Sequence, residues 1–148
     1  MYTISEVSKI FNIPVSTLRY YDKEGLFLNL KRESGIRKFS DQDLEALRVI
    51  ECLKKSGLEI KDIKLFMDWC KEGSSTYQNR YELIQNQKEK VIKEIEHLNK
   101  VLDMLKYKSW YYSKLVEGGN ENSIKELLPD NLPSDIKEAY LNAHNNEK

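Results

Sequence analysis

The chain has 148 residues, a length that suits one ordinary domain or a small domain joined to an elongated element. Its 24 basic and 24 acidic residues cancel, so net charge argues neither for nor against a polyanionic partner. The charges are unevenly spread, because residues 1–40 hold seven bases against four acids and residues 117–148 hold three lysines against seven acids. No apolar run reaches the roughly 18 residues of a membrane span and no signal peptide is recognisable, which predicts a cytoplasmic protein without a membrane partner.

The first 25 residues predict two short helices joined by a tight turn. Thr3 and Glu6 form a capping-box pattern at the start of the first helix. Apolar residues then recur at helical spacing, and they are Ile4, Val7, Ile10 and Phe11. The segment Asn-Ile-Pro at 12–14 ends this helix, and a second is predicted over about 15–23, closed by Gly25. Two short helices with such a turn have the outline of a helix-turn-helix.

Residues 27–39, with the sequence FLNLKRESGIRKF, predict a basic β-hairpin whose tip is formed by residues 33–35. A third helix follows, with Ser40 as its cap and Asp43 as the capping partner. It ends at Gly57, and its apolar stripe contains Leu44, Leu47, Ile50 and Leu53. A fourth helix is predicted over about 60–71, with Ile63, Phe66 and Met67 pointing inward.

A long helix is predicted from Thr76 to about Leu115, because some 40 residues pass without proline or glycine; its length would be about 60 Å. Heptad a and d positions along it are Tyr81, Ile84, Lys88, Val91, Ile95, Leu98, Leu102, Leu105, Ser109 and Tyr112. A head of about 70 residues cannot cover so long a stripe, so we expect a second chain to do so. The predicted dimer contacts are Ile84, Val91, Ile95, Leu98, Leu102 and Leu105. The alternative is that the helix folds back on the tail.

The acidic tail after Gly118-Gly119 contains a predicted capping box, Ser123 with Glu126, and a last helix from Ser134 to about residue 143. About 30 residues are too few for a separate core, so the tail is expected to pack on the long helix or on the head. The predicted fold is therefore mainly α. It consists of a winged helix-turn-helix DNA-binding domain (1–73), a dimerisation coiled-coil helix (76–115) and a short C-terminal helical tail (118–148).

The predicted second helix has two distinct faces. Leu18 points inward, and Tyr21 flanks it as a packing residue. The outward stripe spans about 100° of the helical wheel and contains Ser16, Arg19, Tyr20 and Lys23. All of these groups can donate hydrogen bonds to phosphate oxygens, and arginine can also bind guanine N7 and O6 in the major groove. A merely solvated polar face is the alternative; the basic hairpin and the dimerising helix favour DNA binding.

Two stretches carry a family resemblance: YTISEVSKIFNIPVSTLRYYDKEGL, and then SGIRKFSDQDLEALRVIECLKKSGLEIKDIKLF. They resemble the N-terminal domain of the MerR family of bacterial transcriptional regulators. The most specific motifs are TLRYYDKEGL, the Gly-x-Arg wing and LKKSGLEIKDI. The resemblance covers about residues 1–70 and extends more loosely to about 113. It implies a winged helix-turn-helix head, an antiparallel coiled coil between two subunits and a variable effector region.

Members of that family sit on promoters whose −10 and −35 elements are too far apart. When the effector arrives they bend and untwist the DNA, so that RNA polymerase engages both elements. The resemblance therefore implies three partners: double-stranded promoter DNA, a second copy of the chain, and RNA polymerase. The DNA contacts are then expected from Ser16, Thr17, Arg19, Tyr20, Lys23, Arg37 and Lys38.

The wing departs from the family's Tyr-Arg-x-Tyr pattern, because it has Ile36-Arg37-Lys38-Phe39. Two phenol hydroxyls that would contact the DNA backbone are thus missing, and Lys38 is expected to compensate for them.

No metal or cofactor is expected. Metal-sensing relatives place a cysteine at the start of the long helix, where this chain has Thr76-Tyr77, and the loop VEGGNENS contains no Cys or His. The large ligand domain of multidrug-binding relatives has no counterpart here. The alternative is a small apolar effector site built from the tail and from Trp69, Trp110, Tyr111 and Tyr112, although aromatic residues at helical spacing are more typical of ordinary core.

Two cysteines are too few for a disulfide scaffold. Cys52 lies in ECLKKSGL, which resembles the thiol-dependent, aldehyde- and electrophile-responsive branch of the family, where a cysteine at this place is the proposed sensor. Alternatively Cys52, which adjoins Leu53, is a small buried residue of the core. Cys70, beside Trp69, is a weaker candidate for sensing.

Three other classes of function are alternatives to a DNA-binding transcriptional regulator. An architectural or excisionase-like DNA-binding protein without effector control shares the winged head, but the heptad helix and the capped tail argue against it. A coiled-coil adaptor unrelated to DNA leaves the basic stripe and wing unexplained. An enzyme has no support, because the sequence contains neither a phosphate-binding loop nor a catalytic constellation.

Overall fold

The computed structural model describes residues 1–144, which form two compact units, Met1–Lys88 and a second unit that begins at Glu89. The described elements are helices α1 to α7, strands β1 and β2, and a 3-10 turn at Ser74–Thr76. Their bounds are α1 Ile4–Phe11, α2 Val15–Lys23, β1 Lys31–Glu33, β2 Ile36–Lys38, α3 Asp41–Lys55, α4 Ile60–Glu72, α5 Tyr77–Val116, α6 Glu121–Lys125 and α7 Ser134–His144. The prediction of a mainly helical chain with a small hairpin is confirmed. Within residues 1–144, no helix has both the length and the apolar character needed to cross a membrane.

Helices α1 and α2 pack through Val7 and Leu18, which are both fully buried. The Thr3 hydroxyl caps α1 by accepting a hydrogen bond from the Glu6 backbone N–H at 3.2 Å, as the sequence predicted. Ile10 is the exception among the apolar residues of α1, because its side chain is 55% exposed. At 100° per residue, Ile10 lies about 90° round the helix from the mean direction of its three apolar neighbours, which places it at the edge of the face.

Strands β1 and β2 form an antiparallel hairpin with the pairs Lys31–Lys38, Arg32–Arg37 and Glu33–Ile36. Its two-residue turn consists of Ser34 and Gly35, with φ of 51° and 79°. Positive φ at both turn positions is the geometry that matches the right-handed twist of the strands. We call this hairpin, residues 31–38, the wing.

Phe39 fixes the base of the wing. Its backbone pairs with that of Tyr2 through two hydrogen bonds of 2.8 and 2.9 Å. Its side chain is fully buried and meets the Phe27 ring edge-on, with ring centroids 5.5 Å apart. Phe39, which directly follows the wing, therefore belongs to the core of the first unit.

The third helix begins with the predicted capping box. The Asp43 backbone N–H donates to the Ser40 hydroxyl at 3.1 Å, and the Ser40 N–H donates to the Asp43 carboxylate at 2.8 Å. The apolar stripe predicted for α3 is buried, and so are Ile63 and Met67 of α4, while Phe66 packs against the same core partly buried. These residues form the centre of the first unit.

The start of α5 is tied to the end of α4 within the first unit. The Thr76 hydroxyl lies 2.7 Å from both the Trp69 and Gly73 carbonyl oxygens, and Arg80 donates to the Gly73 carbonyl at 2.8 Å. Further along, the Gln87 amide donates to the Ser56 carbonyl at 2.7 Å. The helix begins at Tyr77, one residue later than predicted, because Thr76 belongs to the preceding 3-10 turn.

The second unit has a small core where the tail packs on α5. Of the two predicted positions for the tail, on the long helix or on the head, the structure thus shows the first. The buried residues of this core are Tyr107, Tyr111, Ile124 and Leu132, and Trp110, Ile136 and Tyr140 pack against them. The capping box predicted at Ser123 and Glu126 is wrong. Asn120 caps α6 instead, accepting from the Ser123 N–H at 2.9 Å, so Ser123 lies inside the helix. The last four residues of the predicted tail lie outside the described residues.

Replacing Phe39 with alanine should remove a fully buried ring and lower the free energy of unfolding by about 3–5 kcal/mol. Urea denaturation followed by circular dichroism measures this. Ile36→Ala in the same hairpin is the matched control, because Ile36 is 58% exposed and should cost no more than about 0.5 kcal/mol. Equal losses in the two variants would contradict the assignment of Phe39 to the core.

Candidate nucleic-acid interface

Helix α2 is held to the first unit by its inner face, as predicted. Leu18 is fully buried, and Tyr21 is 4% exposed. The Tyr21 hydroxyl donates to the Glu51 carboxylate of α3 at 2.8 Å. Burial raises the pKa of Tyr21 above its ordinary value, and the hydrogen bond to Glu51 raises it further. Tyr21 thus stays a neutral donor that fixes the orientation of α2.

The outer face of α2 is the predicted polar stripe. Ser16, Arg19, Tyr20 and Lys23 are all exposed, whereas Thr17 is half-buried. Tyr20 keeps 46% of its surface accessible, although it directly precedes the buried Tyr21. We call these four exposed residues the α2 stripe. It offers a hydroxyl, a guanidinium, a phenol and an ammonium group, and each can donate to a phosphate or a base edge.

Asp22 connects α2 to the wing. One of its carboxylate oxygens accepts from Arg37 Nε at 2.7 Å and from Arg32 Nη2 at 3.2 Å. The Asp22 and Arg37 side chains are 18% and 22% exposed, so this pair is partly shielded from water, whereas Arg32 is 52% exposed. Sequence reasoning missed this role. The available signal was a carboxylate on the predicted second helix, close in sequence to a hairpin that carries four bases.

The strand register of the wing places like charges opposite each other. Arg32 faces Arg37 and Lys31 faces Lys38, so two cross-strand pairs are both cationic. Directly opposed like charges destabilise a hairpin, and Asp22 offsets this for the arginine pair alone. The excess positive charge makes the wing a surface suited to an anionic partner.

The α2 stripe and the wing arginines line one open cleft of about 560 Å³. Its walls contain Ser16, Arg19, Tyr20, Asp22, Lys23, Arg32 and Arg37. Four cationic side chains against one carboxylate leave a local charge of +3. Cationic donors on an exposed helix beside a basic hairpin form a site for the phosphates and base edges of a nucleic acid.

Two predicted wing residues occupy different surroundings. Arg37 is committed through Nε to Asp22, so it positions the wing in addition to any contact with a ligand. Lys38 is half-buried and lies across the hairpin from Lys31.

The two cysteines lie apart from this cleft in sequence and are both exposed. Cys52 therefore does not fill the core, and that alternative reading is wrong; its neighbour Leu53 is the buried residue. Cys70 Sγ lies 3.8 Å from Nη1 of Arg80. Within residues 1–144, no three His, Cys, Asp or Glu side chains form a group that could hold a metal ion.

The predicted dimer contacts lie along an uncovered face of α5. Leu98 is 62% exposed, and four further members are between 42% and 53% exposed, namely Ile84, Ile95, Leu102 and Leu105. Val91 is half-buried. We call this face the α5 stripe. Of the aromatic residues considered for a small-molecule site, Tyr111 is buried in the core of the second unit and Tyr112 is 57% exposed.

The sequence of this chain is similar to those of known proteins. The model of the MerR HTH family of regulatory proteins matches residues 2–69. An uncharacterized HTH-type transcriptional regulator of Haemophilus influenzae is 39% identical over 124 residues, which cover 83% of this chain and 92% of that protein. The HTH-type transcriptional regulator AdhR of Bacillus subtilis is 34% identical over 90 residues, covering 60% of this chain and 64% of AdhR.

A solved structure extends the likeness to three dimensions. It is the crystal structure of HiNmlR, a MerR family regulator lacking the sensor domain, bound to promoter DNA. That chain is similar at a TM-score of 0.66 and 38% sequence identity, and the match covers 82% of this chain and 98% of HiNmlR. These relatives are transcriptional regulators and not enzymes. The winged head, the exposed α2 stripe and the matches over most of the chain lead to one conclusion: this protein belongs to the MerR family of DNA-binding transcriptional regulators.

Proposed function

We propose that the protein binds promoter DNA as a homodimer, with the α2 stripe in the major groove and the wing on the adjacent phosphate backbone. The observation that supports this most directly is the cleft in which Asp22 brings Arg32 and Arg37 beside Arg19. One carboxylate places the wing cations and the helix donors on the same side of the first unit. A DNA duplex presents phosphates and base edges together, so it suits such a surface.

The roles of the contact residues follow from their chemistry. Arg19 and Lys23 carry the charge of the α2 stripe, and Arg19 can also bind a guanine through two hydrogen bonds. Ser16 and Tyr20 offer hydroxyl donors, while the half-buried Thr17 lies at the margin of the contact. On the wing, Lys38 and Arg37 would contact phosphates in place of the missing phenol hydroxyls.

The homodimer rests on the α5 stripe. Its leucines and isoleucines are about half exposed in a single chain, and a heptad pattern of this kind is typically covered by a second helix. Two copies would present two α2 stripes to two half-sites on the DNA. HiNmlR, which is similar over most of its length, is described as lacking the sensor domain.

We infer that the protein acts in the cytoplasm by distorting promoter DNA so that RNA polymerase can engage it. A change in DNA shape is a way to control transcription because bending and untwisting change the relative placement of the −10 and −35 elements that RNA polymerase must engage. The effector in this proposal is an electrophile, such as an aldehyde, sensed by a thiol. Cys52 is the leading candidate, since it is exposed, and Cys70 near Arg80 is the second. The Cys52 sulfur would add to the carbonyl carbon as the oxygen takes up a proton.

Arg19→Ala should weaken binding to the protein's own promoter DNA by about 1–3 kcal/mol and reduce the salt dependence of binding. Fluorescence anisotropy at several salt concentrations measures both quantities. Lys90→Ala, which removes one exposed positive charge from α5, is the control and should bind like the unmodified protein. If Arg19→Ala binds normally, the α2 stripe is not the reading surface.

Asp22→Ala should lower promoter affinity roughly fivefold or more, because the wing loses the contact that orders it before binding. Electrostatics alone predicts a higher promoter affinity for Asp22→Ala, because removing an acid near the phosphates strengthens the attraction between protein and DNA. Glu24→Ala removes an exposed acid from the end of the same helix and should not weaken binding. Tighter binding by Asp22→Ala than by Glu24→Ala would contradict the positioning role of Asp22.

Cys52→Ser should abolish an aldehyde-induced transcriptional response while leaving promoter affinity intact. A reporter gene under the protein's own promoter, titrated with an aldehyde, measures the response. Cys70→Ser is the matched control, because it removes the other exposed thiol. A full response from Cys52→Ser would show that this thiol is not the sensor. If only Cys70→Ser loses the response, Cys70 is the sensor.

A further inference from the structure

A groove of about 760 Å³ runs between α5 and α7 in the second unit. On the α5 side it is lined by Leu102, Leu105 and Ser109, which belong to the predicted a and d positions, and by Trp110 beside them. On the α7 side Ile136 and Ala139 form its apolar wall. The groove is thus continuous with the α5 stripe, on which the proposed homodimer rests.

Carboxylates surround this apolar groove. Asp103 lies on α5, and Asp135 and Glu138 lie on α7; Lys106 is the cation among the lining residues. None of these three acids takes part in an ion pair found among residues 1–144. Asp135 is in the first turn of α7, where the helix dipole favours an acid. Glu138 lies beyond that turn, so the dipole does not account for it.

Among the predicted heptad a and d positions of α5, the charged residue is Lys88, which is exposed in the single chain. In a parallel pair of α5 helices, Lys88 would face the same lysine of the other copy across an apolar seam, which is unfavourable. In an antiparallel pair with fully overlapping stripes, Tyr81 meets Tyr112. Lys88 follows Tyr81 by seven residues, and Leu105 precedes Tyr112 by seven. Lys88 of one copy therefore lies level with Leu105 of the other copy and close to its Ser109. Leu105 and Ser109 both line the groove.

Ile92 gives a second, independent reason for this pairing. It lies at heptad position e, outside the a and d seam, and is 44% exposed. Lys106 and Ser113 occupy the same heptad position and line the groove. In a twofold antiparallel pair the same edge of each helix meets its counterpart, so Ile92 would approach the groove of the other copy near Leu102.

We propose that the groove between α5 and α7 receives the Lys88–Ile92 segment of a second copy, and that Glu138, with Asp135, accepts the Lys88 ammonium group. Ile92 would cover the apolar wall while Lys88 places its charge among the carboxylates. Helix α7 then forms part of the dimer interface and fixes the register of the two α5 helices. This inference rests on the proposed homodimer, and it adds a named ion pair between tail and stripe.

A charge exchange tests the pair in the full-length protein. Sedimentation equilibrium should show that Lys88→Glu and Glu138→Lys each weaken the dimer roughly tenfold or more, while the double variant recovers to within about threefold of the unmodified protein. Lys90→Glu and Glu126→Lys are matched controls and should dimerise normally. Lys90 is exposed at heptad position c, on the side of α5 opposite the a and d seam, and Glu126 is an exposed acid that does not line the groove. Circular dichroism confirms that each variant stays helical.

The outcomes separate this inference from the dimer itself. A monomeric unmodified protein at micromolar concentration would remove the homodimer and the groove proposal together. A stable dimer that neither single substitution weakens would overturn only the groove proposal. Weakened single variants without recovery in the double variant would likewise overturn the pairing of Lys88 with Glu138.

Discussion

The pairing of the Asp22 carboxylate with two arginines is the interaction on which the surface formed by the α2 stripe and the wing depends. The wing places two arginines opposite each other, and without a counter-ion these charges repel. Asp22 receives a hydrogen bond from each, at 2.7 and 3.2 Å, and so joins the wing to α2. Asp22 pairs with two of the four cations that line the cleft, so it orders the wing while the surface keeps an excess of positive charge. Order established before binding lowers the entropy that binding must remove.

The core of the first unit determines what remains exposed. Leu18 and Tyr21 are buried in the core, and because they point inward, Arg19 and Tyr20 point outward on the same helix. On α5, the contacts of Arg80 and Gln87 hold the start of the helix to the first unit, while the leucines and isoleucines of the α5 stripe are between 42% and 62% exposed. Two surfaces thus remain for partners, one cationic and one apolar. They correspond to the two associations of the proposed function, with DNA and with a second copy of the chain.

Local features were predicted well from the sequence because neighbouring residues determine them. The Ser40–Asp43 capping box and the Ser34-Gly35 turn each involve residues within four positions, so no distant contact can alter the pattern. Prediction failed where two local signals compete. Asn120 precedes Ser123 and caps α6, so Ser123 lies inside the helix.

The sequence by itself determined the helices, the basic hairpin, the two faces of α2 and the heptad stripe, because periodicity and capping act over one or two turns. Only the tertiary structure revealed that Asp22 pairs with arginines 10 and 15 residues away, and that Cys52 faces solvent. It likewise revealed that carboxylates of α7 border the α5 stripe. Such contacts join residues that chain folding brings together, and nothing in the spacing of residues along the chain specifies which distant partner a side chain will meet.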